Sequence, residues 1–383
     1  MRNLFYLSAV AAMLVPVMAC SHNTPQQPDD ATPDEQTEPV VEKAVFDAHK
    51  GINISCWLSQ TSSRKGSVET YFTEKEVKIL SDWGFDHIRL PIDEKEVFTE
   101  DLKWKDAARQ YIHKAIGWCE KHNMRVILDL HILRSHYFNN TETMTLWKDK
   151  ASQDRMMQMW QMISDEFKKY PVDLLAYELL NEPVPDTPAQ WNTLSAKLIA
   201  QIRKAEPDRM LIIDPSSHAS IGALSSQTVP EGDKNLMFAI HFYTPHLLTH
   251  YKASWMSRLK NLTVPLNYPG QLVAKEIVDT IKNSNNLRVV NYYNGNYNKD
   301  VLAQTFEAAF EKSRQTGLRL IVSEVGCIDN APEEPKVNWF ADVAAICKEH
   351  DLAFSVWGYK ASFGLFNENG TVKNERIMEA LTK

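Results

Sequence analysis

Two glutamates, far apart along a chain of 383 residues, carry the strongest chemical signal. Glu182 closes an apolar run at residues 174–182 and precedes Pro183. Proline cannot continue a strand ladder, so Glu182 is read as the last residue of a strand, at its rim. Glu324 stands near the end of a second apolar run, residues 318–325, just before Gly326. Two carboxyl groups facing one opening can divide the work of breaking an acetal. One gives a proton to the leaving oxygen, and the other attacks carbon or activates water, which is the chemistry of glycoside hydrolysis.

The neighbouring residues fit that chemistry. Arg89 lies in the apolar stretch His87-Ile88-Arg89-Leu90-Pro91, where an unpaired guanidinium would be costly. Glu324 is the expected partner, and the pairing would keep Glu324 charged. His131 ends the run at residues 125–131. His241 and Tyr243, two apart in a strand pattern, share one face. Trp357 ends the last run and is placed to stack under a sugar ring. Glu178, four residues before Glu182, is read as a structural hydrogen-bonding carboxylate.

These residues need a scaffold that brings strand ends together. Eight short β-branched or apolar runs recur, at residues 51–56, 87–92, 125–131, 174–182, 210–214, 236–243, 318–325 and 354–357. Most are continuous rather than alternating, as parallel strands covered on both sides should be. Helical spacing lies between them, over residues 74–84, 111–119, 153–169, 191–202, 301–316 and 336–350. Thr187-Pro188-Ala189-Gln190 has the form of a capping box with proline in the first turn. The alternation predicts an α/β fold, a (β/α)₈ barrel in a single catalytic domain. An open doubly wound sheet would favour a glycine-rich turn after its first strand, and Cys56-Trp57-Leu58-Ser59 is not one. One interval, residues 244–300, is oversized and rich in aromatics, and in a barrel it would stand at the catalytic mouth.

Composition narrows the partners. Forty-two basic against forty-nine acidic residues give a net charge of −7, which argues against nucleic acid. Residues 4–17 are apolar but too short to span a bilayer. They lead to Val17-Met18-Ala19-Cys20, which resembles a bacterial lipobox, so residues 1–19 are read as a lipoprotein signal peptide and Cys20 as the lipidated residue. An ordinary secretory signal is the alternative. Ser21 resembles a signal for the outer membrane. Residues 20–44 follow as an acidic, proline-rich tether with too little apolar content to fold. Residues 45–383 then form the domain. The four later cysteines include no Cys-x-x-Cys pair, and free buried thiols are expected.

Taken in order, Ile88-Arg89-Leu90-Pro91, Leu128-Asp129-Leu130-His131, Glu178 through Pro183, His241-Phe242-Tyr243, Ser323-Glu324-Val325-Gly326 and Trp357 resemble glycoside hydrolase family 5, the cellulase family. The resemblance implies a retaining double displacement on a β-linked polysaccharide, most simply a β-1,4-glucan. Glu182 would be the acid/base and Glu324 the nucleophile. Asn181 would hold the sugar 2-hydroxyl, and Arg89 and Tyr243 would steady Glu324. His131 and His241 would line the subsite, with Trp357 as its floor. Retention implies carboxyl groups ~5–5.5 Å apart, and the acid's pKa should be raised.

Two departures touch the sugar-binding loops. The family's frequent Pro-Gly is missing after His131, and Gly358 follows Trp357 where serine or alanine is common. No cofactor is expected, and no metal, since the first run lacks His-x-His; a serine hydrolase would want Gly-x-Ser-x-Gly, which is absent. A monomer is expected. The competing readings are a surface lipoprotein that binds glycan on an inactivated barrel, and a β-mannanase or exo-β-glucanase of the same family.

Overall fold

The computed structural model describes residues 45–383, and the segments read as a signal peptide, a lipidated Cys20 and a tether lie outside them. Eight parallel strands close into a barrel. They are β1 (Lys50–Asn53), β2 (His87–Asp93), β3 (Arg125–Ile132), β4 (Leu175–Glu178), β5 (Leu211–Ile213), β6 (Leu236–Phe242), β7 (Arg319–Val325) and β8 (Ala353–Val356). Each pairs with its sequence neighbours, and β1 closes on β8. The (β/α)₈ expectation therefore holds.

The outer helices follow the predicted stretches. They include α1 (Glu74–Asp82), α2 (Asp106–Lys121), α3 (Lys150–Phe167), α4 (Pro188–Ile202), α5 (Lys299–Thr316) and α6 (Glu333–Glu349). The capping box forms at Thr187, with Gln190 reaching back to its backbone. Apolar residues on every second strand position, such as Leu128, Tyr177, Ile240 and Val322, pack outward in one large core with the helices' buried faces.

The alternate positions build the interior. Ile127, Ala176, Ile212, Ala239, Ile321 and Ala353 cluster with Phe46 in a separate apolar layer. Because side chains on a strand repeat every two residues, the next inward position lies one layer nearer the mouth. It holds Asp129, Glu178, Asp214 and His241 on β3 to β6, with Arg89 two residues after His87 on β2. A polar storey thus rests on a greasy floor.

Two strand ends depart from simple alternation. Counting in twos from Ile321 would send Ser323 inward and Glu324 outward. Instead the register slips between β6 and β7, pairing Ile240 with Val322 but His241 with Glu324. The extra residue is a bulge, which re-aims a side chain. On β4 the regular ladder stops at Glu178, and the backbone of Glu182 enters the left-handed region at φ 47°. The expectation that Glu182 is the last strand residue is corrected accordingly, since it sits on a turn beyond the strand.

Candidate active site

Arg89 is the hub of the polar storey. It is fully buried, and all five of its N–H donors are used. Nε and Nη2 grip Glu178 at 2.7 Å each, Nη1 reaches Asn53 Oδ1 at 2.8 Å and Glu324 Oε1 at 2.9 Å, and Nη2 also reaches Asn181 Oδ1 at 2.7 Å. Asp129 Oδ2 lies 3.0 Å from Nη2. Burial alone would loosen the proton, but Asp129 and Glu178 hold the guanidinium charged well beyond its ordinary range.

Each expected site residue joins this cluster. Glu324 is held by Arg89 and, through Oε2, accepts the Tyr243 hydroxyl at 2.9 Å. The Arg89–Glu324 pairing expected from burial cost is therefore present. Burial and the adjacent Glu324 push the Tyr243 phenol well up, so it remains a donor. Asn181 gives its oxygen to Arg89, which leaves its buried Nδ2 without a protein partner among the described residues. That free amide is what a sugar hydroxyl would meet.

His131 donates from Nδ1 to Asp129 Oδ2 at 2.7 Å, and its Nε2 lies 3.1 Å from the Gln60 amide. Burial and Arg89 lower its pKa to about 4, so the ring is neutral and Nε2 accepts from Gln60. Trp357 stacks on this imidazole, with centroids 5.4 Å apart and planes 6° from parallel.

His241 joins the two glutamates. Its Nδ1 is 2.8 Å from Glu182 Oε1 and 3.4 Å from Glu324 Oε2. One ligand atom each of Glu182, His241 and Glu324 lies within 4.8 Å of the others. This geometry corrects the expected raised pKa of Glu182. Burial pushes that carboxyl up, but the hydrogen bond from His241 and the charge of the surrounding histidines together outweigh it, and the net shift is downward. Burial disfavours the charged imidazole, whereas Glu324 and Glu182 favour it, and the His241 pKa rises. The two shifts together favour a proton on the imidazole over one on the Glu182 carboxyl.

The clusters Glu178–Asp214–His241 and Glu182–His241–Glu324 have the donor types of a metal site. Arg89 already engages Glu178 and Glu324, and His241 Nδ1 is hydrogen-bonded to Glu182.

The structure adds residues that the motifs did not single out, namely Asn53, Gln60, His136 and Asp214. Asn53 and Asp214 sit at inward strand positions, and counting in twos from Gly51 and Ile212 would have found them. His136 lies in the segment that departs from the family after His131. Its Nε2 accepts the Val184 N–H at 3.2 Å, bracing the Glu182 turn. Gly358, the second departure, also has a local cause, because a Cβ there would lie 2.3 Å from Ser55 Oγ.

The 244–300 insertion reaches this site. Trp255, 54% exposed, has its ring 6.3 Å from His250 and 6.0 Å from Phe363, and both of those contact Tyr243. On the other side Phe138 meets His131 edge-on, and the exposed Tyr137 follows it.

A family model described as cellulase, glycosyl hydrolase family 5, matches residues 47–362. Endoglucanase C of Acetivibrio thermocellus is 28% identical over 338 residues, covering 87% of this chain and 97% of that protein. Cellodextrinase A of Ruminococcus flavefaciens is 25% identical over 306 residues, covering 79% and 83%. A hyperthermophilic endo-beta-1,4-glucanase solved with substrate superposes with a TM-score of 0.70 at 23% identity, covering 88% of this chain and 97% of that one.

Removing the hub should strand three carboxylates in the barrel. Arg89→Ala is expected to cost about 3–5 kcal/mol of stability, read as a lower urea midpoint; an unchanged midpoint would falsify the clamp.

Proposed function

The chain belongs to the cellulase family, glycosyl hydrolase family 5, and from that premise we propose a retaining, endo-acting β-glucanase with β-1,4-glucan as its first-choice substrate. The observation that carries the reading is the triangle of Glu182, His241 and Glu324 within 4.8 Å, with Arg89 and Tyr243 on the Glu324 side alone. So short a reach suits direct attack better than an intervening water. The relatives named for endoglucanase and cellodextrinase activity favour a β-glucan.

Glu324, charged and steadied by two donors, attacks the anomeric carbon as Glu182 protonates the departing glycosidic oxygen. A glycosyl ester on Glu324 results. Water then attacks the same carbon, gives its proton to Glu182, and frees Glu324. The proton needed in the first step is stored on His241 and passes through Glu182. Asn181 Nδ2 meets the 2-hydroxyl, and Trp357 underlies the sugar.

The rings support action within a chain. Tyr137, Phe138, His131 and Trp357 on one side, and Tyr243, His250 and Trp255 on the other, trace an aromatic line across the mouth. A long glucan can lie along such a line, whereas a closed pocket would admit only its end.

For location, we propose a lipoprotein anchored through Cys20 in the outer membrane, on the cell surface. Among the described residues no helix is long and apolar enough to cross a membrane.

Three measurements test this reading. On a panel of β-glucans, mannans and xyloglucan, Glu324→Ala should lose roughly three orders of magnitude in kcat, and the parent should release mixed oligosaccharides from β-1,4-glucan. Equal rates for both proteins sink the nucleophile, and disaccharide as the sole early product sinks endo action. The rate should also fall as pH rises through the raised His241 value, above about 6.5, because deprotonation empties the proton store; an alkaline limb unmoved in His241→Asn removes that store from the mechanism. Finally, Cys20→Ala should release the protein from membranes, and retention in the membrane fraction would exclude the lipid anchor.

A further inference from the structure

Asp214, just beyond β5, is fully buried against the acid/base turn. Its main chain is pinned from outside the barrel, where Trp191 Nε1 of α4 donates to the Asp214 carbonyl at 2.7 Å. Inside, Oδ2 accepts the backbone N–H of Glu182 at 2.9 Å and lies 3.7 Å from His241 Nε2. Burial, then the neighbouring Glu178, push the Asp214 carboxyl well above its ordinary range, so it meets Glu178 as a neutral acid.

The peptide it holds is a strained one. A non-glycine residue at φ 47° occupies a sparsely populated region that persists only where its surroundings enforce it. A Glu182 free to relax would return to extended backbone and swing its carboxyl off the line to Glu324. Asp214 supplies the acceptor that rewards the left-handed turn, and the two strands β4 and β5 thereby share one bolt.

We propose that Asp214 is a positioning residue for the general acid: by holding the Glu182 peptide N–H it maintains the turn that presents the Glu182 carboxyl to the leaving oxygen. The proposal rests on the reading of Glu182 as acid/base. The role calls for an acceptor of the right shape, not for a negative charge. Asparagine can fill it, with its oxygen toward Glu182 and its amide toward Glu178. Leucine keeps the volume and accepts nothing.

Two substrates separate this role from a general loss of structure. Cellotetraose has a leaving hydroxyl that must be protonated, whereas 2,4-dinitrophenyl β-cellobioside departs as a stable phenolate without acid help. Asp214→Leu should lower kcat on cellotetraose by about 100-fold with KM little changed, the scale of a lost general acid. Its first-turnover release of dinitrophenolate should stay near the parent's. Asp214→Asn should stay near the parent on both. Equal losses on the two substrates, no loss in the leucine variant, or failure of asparagine to rescue would each overturn the proposal. If the leucine variant does not fold, Asp214→Ala is read by the same criteria. A parent inactive on both compounds overturns the hydrolytic reading itself, and this proposal with it.

Discussion

A single guanidinium with no water to solvate it organises the mouth of this barrel. Arg89 meets three carboxylates and two amide oxygens, and every N–H it has is committed. Buried charges are tolerable only when paired and hydrogen-bonded, so the requirement runs both ways. Asp129, Glu178 and Glu324 need the cation as much as it needs them. Because they come from β3, β4 and β7, satisfying one side chain fixes the relative height of strands around the ring. The arrangement holds the Glu324 carboxylate in place and leaves the buried Asn181 Nδ2 without a partner among the described residues.

Much of this was legible in the sequence. A buried arginine demands a carboxylate, and Glu324 was the partner found. The spacing of His241 and Tyr243 correctly placed both on the site's face. Two things were hidden, for separate reasons. The direction of Glu324 depends on a bulge, which is a property of pairing between β6 and β7 and leaves no mark on β7 alone. The protonation of Glu182 depends on its contacts with His241 on another strand, whereas the expected sign came from the acid's role alone. Asp214 was missed for a simpler cause. It closes the run at residues 210–214, where only the order of inward positions, counted from Ile212, marks it.

The division between strands and loops also explains where the chain departs from its family. The polar storey is built at inward positions of the strands and carries the motifs on which the resemblance rests. The changes fall beyond the strand ends, at residues 132–136, at Gly358 and in the long insertion. They are locally consistent, since His136 braces the Glu182 turn and Ser55 fills the space beside Gly358. Reach along a glucan can drift while the bond-breaking geometry stays put.

The apolar floor beneath the site is interrupted at one strand. Ile127, Ala176, Ile212, Ala239 and Ile321 are wholly shielded from solvent, and Phe46 closes the cluster. On β2 that layer is broken by His87, whose ring meets the Asp86 carboxylate and the Ser355 hydroxyl at 2.7 Å each. The Ser355 carbonyl in turn accepts from Asn53 Nδ2, and Asn53 Oδ1 accepts from Arg89. A thread of polar contacts therefore crosses the greasy layer at β2, from the partly exposed Asp86 up to the guanidinium.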